Sequence, residues 1–596
     1  MNTNEKLARL RAMMKHEEIS AYIIPSNDPH MSEYVSEHWK SRMFFSGFTG
    51  SAGTLVVTEK ESGLWTDGRY YIQAEKQLAG SEIKLFRMGE KGVPTYTQFI
   101  ADTLNENECV GIDGRIFAAA TVKNMRKAFE AKHLKIRSNI DLVAPIWLER
   151  PKESLTSIYL HEKKYTGASC NEKLMAVRNS LEKEKVDGYV LCELASIAWL
   201  FNIRANDIAF NPMAIAYAFV TNKQAYLCTE LSRMPQEVQK ALQDEGVTLM
   251  PYEAIYGLLK GIGEPMKILC HEGNVNETLY SILVENPYVT VQEGEELVCQ
   301  LKAIKNEVEI ANIDLAHIKD GCALTHFMVE LEEKLANKET VTEYDVVGML
   351  KKARAAQINN KGESFASIVA YKENAAMMHY APTETKHKKL KEEGLLLIDS
   401  GGQYLEGTTD ITRTFALGPT TTEEKMHYTL TLKSHIAMAK AVFMEGCTGA
   451  NLDILARKPM WEKGLDYKCG TGHGVGFMLG VHEGPQSLRT TNNVPFKEGM
   501  LITDEPGVYM EGKHGIRIEN ILVVTDYMTT PSGHFYQFKN VTYFPIDTKP
   551  LLTKLLSKEE LEWLNSYHQT VYEKLSPQLE GRALEWLRRN TEAITA

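Results

Sequence analysis

The hydrophobic pattern divides the chain into a part that repeats and a part built differently. From Lys6 onward Leu7, Leu10 and Met14 recur three or four residues apart, the spacing that gathers them on one face of a helix. A short apolar run, Ala21 to Pro25, follows and reads as a strand. The same order returns 167 residues later, where Lys173 to Leu191 aligns without a gap onto Lys6 to Ile24. Leu7/Leu174, Arg11/Arg178, Met14/Leu181, Ile19/Val186 and Tyr22/Tyr189 are matched pairs. Aromatic runs follow in both copies, Met43 to Thr49 and Ala198 to Arg204, and each reads as a strand. Apolar strands come next, Gly53 to Thr58 and Tyr217 to Thr221. The pattern predicts two similar α/β domains. The stretch Asp141 to Arg150, with Pro145 and then Pro151, has the composition of a linker between them.

A different pattern begins near Asn306. Val308, Ile310, Ile313, Leu315, Ile318, Leu324, Phe327, Met328 and Leu331 predict one long amphipathic helix. From Gly394 short β runs alternate with glycines and helical segments. The tail carries a capping box, Ser557 with Glu560, ahead of Leu561, Leu564, Tyr567 and Val571 on one helix face. The expected division is 1–142, 143–305 and 306–596, with a helical tail over about 551–596. Composition narrows the classes. Lys and Arg number 67 against 78 Asp and Glu, a net charge of −11, so the basic footprint of a nucleic-acid binder is missing. No run reaches the roughly 18 apolar residues of a membrane span. The polar start MNTNEKLARL does not read as a secretory signal. Nine scattered cysteines with no CxxC pair argue against a disulfide framework or thiolate zinc site, and a cytoplasmic setting is expected.

The acidic residues of the third region are placed unlike a solvated face. Asp399 ends the apolar run Gly394 to Ile398, where a carboxylate is costly unless paired or coordinated. Asp410 lies eleven residues on, in another β run, and antiparallel pairing could bring the two side by side. Glu505 follows a strand ending at Asp504, and Gly515 to Val524 reads as a further strand in which Arg517 and Glu519 share a face. Between these pairs stands His473, in a glycine-rich loop that lacks the Lys-Ser/Thr of a P-loop. Any one of these residues alone is ordinary turn or core chemistry. Together, four carboxylates and one histidine form a hard donor set suited to manganese, magnesium, iron(II) or cobalt, able to hold two ions.

These residues and the words around them, GTTDITRTF, GTGHGVG, VHEGP, DEPGVY and GIRIEN, resemble the pita-bread metallopeptidases. Within them the chain looks like the long, three-domain cytosolic Xaa-Pro aminopeptidases, and FFSGFTGSAGT, LWTDGRYY and WLFNIR extend the likeness to the first two regions. The resemblance implies two creatinase-type α/β domains followed by a pita-bread catalytic domain, so α/β and α+β together. It implies a dinuclear site, commonly manganese, with cobalt, iron(II) or zinc as alternatives, held by Asp399, Asp410, His473, Glu505 and Glu519. It implies Glu505 as the proton-transferring residue, and His379 and His482 as substrate-contacting histidines that stabilise the oxyanion. Arg517 matches an arginine that orients the ligands. Arg204 is a candidate for the substrate's N-terminal end, or else a surface ion pair. The implied reaction releases the first residue of peptides with proline second, and the implied assembly is a homodimer. A prolidase acting on dipeptides and a noncatalytic protein-binding module are the alternatives. One departure stands out: the family's His-Gly-Thr-Gly-His-Gly has Cys469 in place of its first histidine. Cys469 is expected to be a packed residue rather than a nucleophile.

Overall fold

The computed structural model describes residues 1–595. The chain forms two compact units, one of Met1–His161 with Ala168–Val298, the other of Glu162–Gly167 with the chain from Cys299 onward. No helix of the described residues is long and apolar enough to cross a membrane.

The first unit contains two six-stranded sheets of the same topology. Counted along each sheet's own strands, the order is 4-3-2-1-5-6 in both. The first strands are Ala21–Ile24 and Gly188–Leu191, each preceded by its helix, Thr3–His16 and Cys170–Glu184. Both helices open with a capping box, Asn2 with Glu5 and Ser169 with Glu172, which satisfies first-turn N–H groups. The repeat read from the sequence is therefore a repeat of topology.

Two expectations for this unit are corrected. The aromatic runs are helices, Ser41–Ser46 and Leu194–Leu200, with only Ile203–Arg204 extended after the second. In such short segments the burial is nearly continuous (Ser196 through Leu200 are all buried), so no period separates helix from strand. Gly47, at φ 72°, ends the first helix in the left-handed region. The predicted linker is also no spacer: Leu142, Val143 and Ile146 pack into the core around Leu7, Leu10 and Tyr22. Proline supplied its turns, but its apolar positions supply core.

The second unit opens with a capping box, Asn306 with Glu309, on the 30-residue helix Glu307–Ala336. Its centre holds a three-stranded sheet, ordered Ile368–Tyr371, Leu395–Ser400, Ile411–Ala416, and a four-stranded sheet ordered Val442–Met444, Gly533–Asn540, Asn520–Thr530, Leu501–Asp504. Two short hairpins, Gly472–Gly474 with Glu483–Leu488 and Gly507–Met510 with His514–Arg517, complete the inner layer. The stretch read as one strand from Gly515 to Val524 is two strands. Arg517 pairs with Gly507, whereas Asn520 pairs with Asp504, so the chain changes partners across Ile518 and Glu519.

The tail helix Lys558–Leu575 begins at the predicted Ser557–Glu560 box. Its Leu564, Tyr567, Val571 and Leu575 share a core with Tyr428, Leu432, Ile436, Ile516 and Ile518. Arg413 locks this packing to the inner layer. Its guanidinium donates to the carbonyls of Pro545 (2.9 Å), Phe544 (2.8 Å) and Glu519 (2.7 Å), to Asn520 Oδ1 (2.9 Å) and to the Tyr567 hydroxyl (2.8 Å). All of these acceptors are buried, so losing the donor leaves several unsatisfied at once. Arg413→Met is expected to destabilise the protein by about 3–5 kcal/mol, from buried acceptors left without donors. Thermal unfolding checks this, and a wild-type melting temperature in the variant would contradict it.

Candidate metal centre

The strands bring the five candidate donors to one place in the second unit. Leu395–Ser400 and Ile411–Ala416 pair antiparallel, as expected, but Asp399 stands opposite Thr412. Asp410 lies two residues before Thr412, so the two aspartates are diagonal neighbours rather than direct partners. Glu505 and Glu519 each sit one residue beyond the Asp504–Asn520 pair, which places them across from each other at the end of the ladder. His473 occupies a short strand instead of a loop, paired with Ser487. The glycine before it is required by close approach: a Cβ on Gly472 would lie 1.8 Å from the Thr503 carbonyl.

Donor atoms of Asp410, His473 and Glu519 lie within 4.8 Å of one another. His473 Nε2 is 3.5 Å from Asp410 Oδ2 and 3.4 Å from Glu505 Oε1. Its Nδ1 is 2.9 Å from the Gly474 carbonyl and must donate there, so Nε2 is the nitrogen turned to the carboxylates. Asp399 Oδ2 accepts from Arg517 Nη2 at 2.5 Å, while Oδ1 is buried without a hydrogen-bond partner among the described residues.

The electrostatics follow from crowding. Burial, then the charges of Asp399 and Glu505, holds Asp410 well above the usual carboxylate range. Burial and the charges of Asp410, Glu505 and Asp399 do the same to Glu519. Glu505 is pushed up to about 7 by burial and by Asp399, against the opposing pull of Arg517. Bound cations would relieve this repulsion, and the orphaned Asp399 oxygen and the oxygen-rich donor set fit divalent ions.

Neighbouring side chains fix the donors. Arg517, expected to orient the ligands, grips Asp399, with Nε donating to Thr412 Oγ1 (3.1 Å) and Nη1 to the Tyr509 hydroxyl (2.6 Å). The Thr412 hydroxyl in turn donates a hydrogen bond to Glu519 Oε2 (2.7 Å). Thr503 accepts from the His473 amide (3.0 Å) and donates to Glu505 Oε1 (3.3 Å). Thr412 and Thr503 were not singled out from the sequence. The available signal was spacing, since each lies two residues from a candidate donor and so shares its strand face.

The remaining predicted residues are placed variously. The exposed His482 has its ring 4.3 Å from that of His473, nearly perpendicular. His379 is half-buried in a turn whose Met378 carbonyl accepts from Arg517 Nη2 at 3.5 Å. Cys469 is half-buried against Val508 and Tyr467, its thiol pushed up to about 12 by burial and by Glu505. That agrees with a packed residue. Arg204 lies in the first unit and is buried, donating to the carbonyls of Ala198 (2.8 Å) and Ile203 (3.0 Å), so the surface ion pair is excluded.

Comparison with known proteins agrees with this arrangement. The profile for the metallopeptidase family M24 matches residues 311–526, and one for the C-terminal region of peptidase M24 matches 534–594. Two profiles described as creatinase/prolidase N-terminal domain match 6–141 and 149–309. A probable Xaa-Pro aminopeptidase P of Laccaria bicolor is 38% identical, over 100% of this chain and 94% of its own. Aminopeptidase P2 of Arabidopsis thaliana is 38% identical over 99% and 88% respectively. The crystal structure of X-prolyl aminopeptidase from Caenorhabditis elegans, described as a cytosolic enzyme with a di-nuclear active site, superposes with a TM-score of 0.95 at 32% identity and covers 100% of both chains. The chain belongs to the M24 metallopeptidases and, within them, to the Xaa-Pro aminopeptidase P family. Its architecture is two creatinase-type α/β domains followed by a pita-bread catalytic domain.

The raised carboxylates predict a pH-dependent response to metal. A folded-state pKa above the unfolded value means the folded protein holds more protons between about 4.3 and 7, so metal-free stability falls as pH rises through that window. Ions that bind the ionised carboxylates reverse this. The rise in melting temperature on adding Mn²⁺ to chelator-treated protein is expected to be larger at pH 8 than at pH 5.5. Equal rises at the two values would contradict the crowding argument.

Proposed function

We propose that the protein is a metal-dependent aminopeptidase that releases the first residue from peptides with proline in the second position. The observation carrying this reading is the complete set of four carboxylates and one histidine converging in a chain related over its full length to Xaa-Pro aminopeptidases. The domains are taken as 1–142, 143–305 and 306–596.

Asp399, Asp410, His473, Glu505 and Glu519 would hold two divalent ions, with manganese favoured and cobalt, iron(II) or zinc compatible. When bound, such ions supply a water ionised near neutral pH and a Lewis acid for the scissile carbonyl. Glu505 takes the water proton on its carboxylate and delivers it to the departing proline nitrogen, acting as base and then acid. Thr503 holds one oxygen of that carboxylate, which leaves the other to move the proton. His482 and His379 donate hydrogen bonds to the developing oxyanion. The Xaa-Pro amide is tertiary, so a site that requires no hydrogen bond from that nitrogen accepts it. Arg517 holds the Asp399 carboxylate in place through Oδ2. We further propose a cytoplasmic homodimer acting on peptides, with no role for nucleic acid or membrane.

The test is a panel of Xaa-Pro-Xaa peptides, Xaa-Pro dipeptides and proline-free controls, read by mass spectrometry with and without Mn²⁺. Metal-dependent loss of the first residue from the longer peptides is expected. Cleavage of dipeptides alone would indicate a prolidase, and no cleavage with tight binding to another protein would indicate a noncatalytic module. Glu505→Gln is expected to lower kcat by about 10²–10⁴-fold, the usual contribution of a general acid–base, with metal largely retained. Wild-type turnover in that variant would remove Glu505 from the role.

A further inference from the structure

Behind Glu505, on the side away from the five donors, a buried pair is not used by the chemistry described so far. Asp504 and Glu505 are consecutive, so in an extended chain their side chains point to opposite faces. Glu505 turns to His473, and Asp504 turns to His435 on the helix Thr422–Ala439. Both side chains of this second pair are 0% exposed. His435 Nδ1 hydrogen-bonds the main-chain carbonyl of Asp504 at 3.1 Å and lies 2.9 Å from its Oδ2. Both neighbours are oxygen acceptors, so Nδ1 carries the proton, and the edge of the ring packs on Trp563.

The bond to the carbonyl matters most. The carbonyl of Asp504 and the amide of Glu505 belong to one peptide plane, and that plane sets where the Glu505 side chain begins. Its oxygen is held by His435, and its N–H donates to the Thr471 carbonyl at 2.7 Å. Thr471 is itself fixed, its hydroxyl bonded to Asp453 and to the Tyr467 hydroxyl (2.7 Å). The plane is thus clamped from two elements, the helix carrying His435 and the backbone at Thr471. A carboxylate that must reach both an attacking water and a leaving nitrogen loses rate quickly when misaimed by about 1 Å.

We propose that His435 is a positioning residue for Glu505, acting through the Asp504–Glu505 peptide by the bond from its Nδ1 to the Asp504 carbonyl. The proposal rests on Glu505 being the proton-transferring group. Removing His435 alone would leave the buried Asp504 carboxylate facing a cavity, so the test uses two variants with a neutral pocket. His435→Leu with Asp504→Asn has no donor for the carbonyl, and His435→Gln with Asp504→Asn restores one.

The leucine variant is expected to lose about 10- to 100-fold in kcat on an Xaa-Pro-Xaa peptide, with KM and calorimetric Mn²⁺ affinity within about threefold of wild type. The glutamine variant is expected to recover most of that kcat. Hydrogen exchange of the metal-free protein provides a readout independent of turnover: the Glu505 amide should lose protection in the leucine variant and regain it with glutamine. A leucine variant with near-wild-type kcat, or a glutamine variant no better than leucine in both rate and protection, overturns the proposal. So does a loss traced wholly to weaker Mn²⁺ binding, which would mark His435 as generally structural. An inactive wild type would refute the functional reading instead, and the exchange comparison would still judge the clamp.

Discussion

Four carboxylates gathered around one imidazole, mostly withdrawn from water, repel one another, and the inner layer of the second unit is arranged to hold them there. Burial and mutual repulsion favour the protonated forms of three of them, Asp410, Glu505 and Glu519. The protein supplies one permanent cation, Arg517, and commits it to Asp399. Hydroxyls supply the rest of the local order: Thr412 on Glu519 and Thr503 on Glu505. One guanidinium does not balance four carboxylates, so the arrangement is completed by added positive charge. That is the physical sense in which the donor set calls for divalent ions, and it accounts for the orphaned oxygen on Asp399.

Holding repelling groups in place requires a rigid frame, and the frame is built from backbone approached closely on every side. Gly472 lets its strand press against the Thr503 carbonyl, and Gly515 does the same against the Ala375 carbonyl, where a Cβ would again meet an oxygen at 1.8 Å. Arg413 gathers the carbonyls of Glu519, Phe544 and Pro545 with the tail residue Tyr567. The helix Lys558–Leu575 is in this way fastened to the backbone of a candidate ligand, Glu519. Ligand geometry and tail packing share one guanidinium, so loosening either strains the other.

What could be read from the sequence follows from how far each signal reaches along the chain. The candidate donors were legible as a set: Asp399 ends an apolar run and His473 stands among glycines, and the words around Asp410, Glu505 and Glu519 complete the pattern. The duplicated sheets were legible because helix and strand recur at one offset. The aromatic runs near Phe45 and Trp199 were misread because burial on all sides erases the period. The break at Ile518–Glu519 was missed although the alternation of Ile516 and Ile518 with Arg517 and Glu519 stops at Asn520, where the chain takes a new pairing partner. His435 and Asp504 lie 69 residues apart, and nothing beside either marks the other. Only the packing of a helix on a strand end brings them together. Residues that touch the chemistry announced themselves, whereas residues that aim those residues did not.

Cys469 shows what a single departure from the family pattern does in such a crowded place. It packs beside Val508 and Tyr467, and its thiol feels Glu505 and Arg517. A histidine there would titrate near neutrality and could add a positive charge beside Glu505. A thiol pushed up to about 12 stays neutral across the working range and is neither nucleophile nor counter-ion. The charges acting on this corner are then those of Glu505 and of Arg517, Arg457 and Arg489. The five candidate donors are all present with cysteine here, so the departure falls beside the centre and not within it.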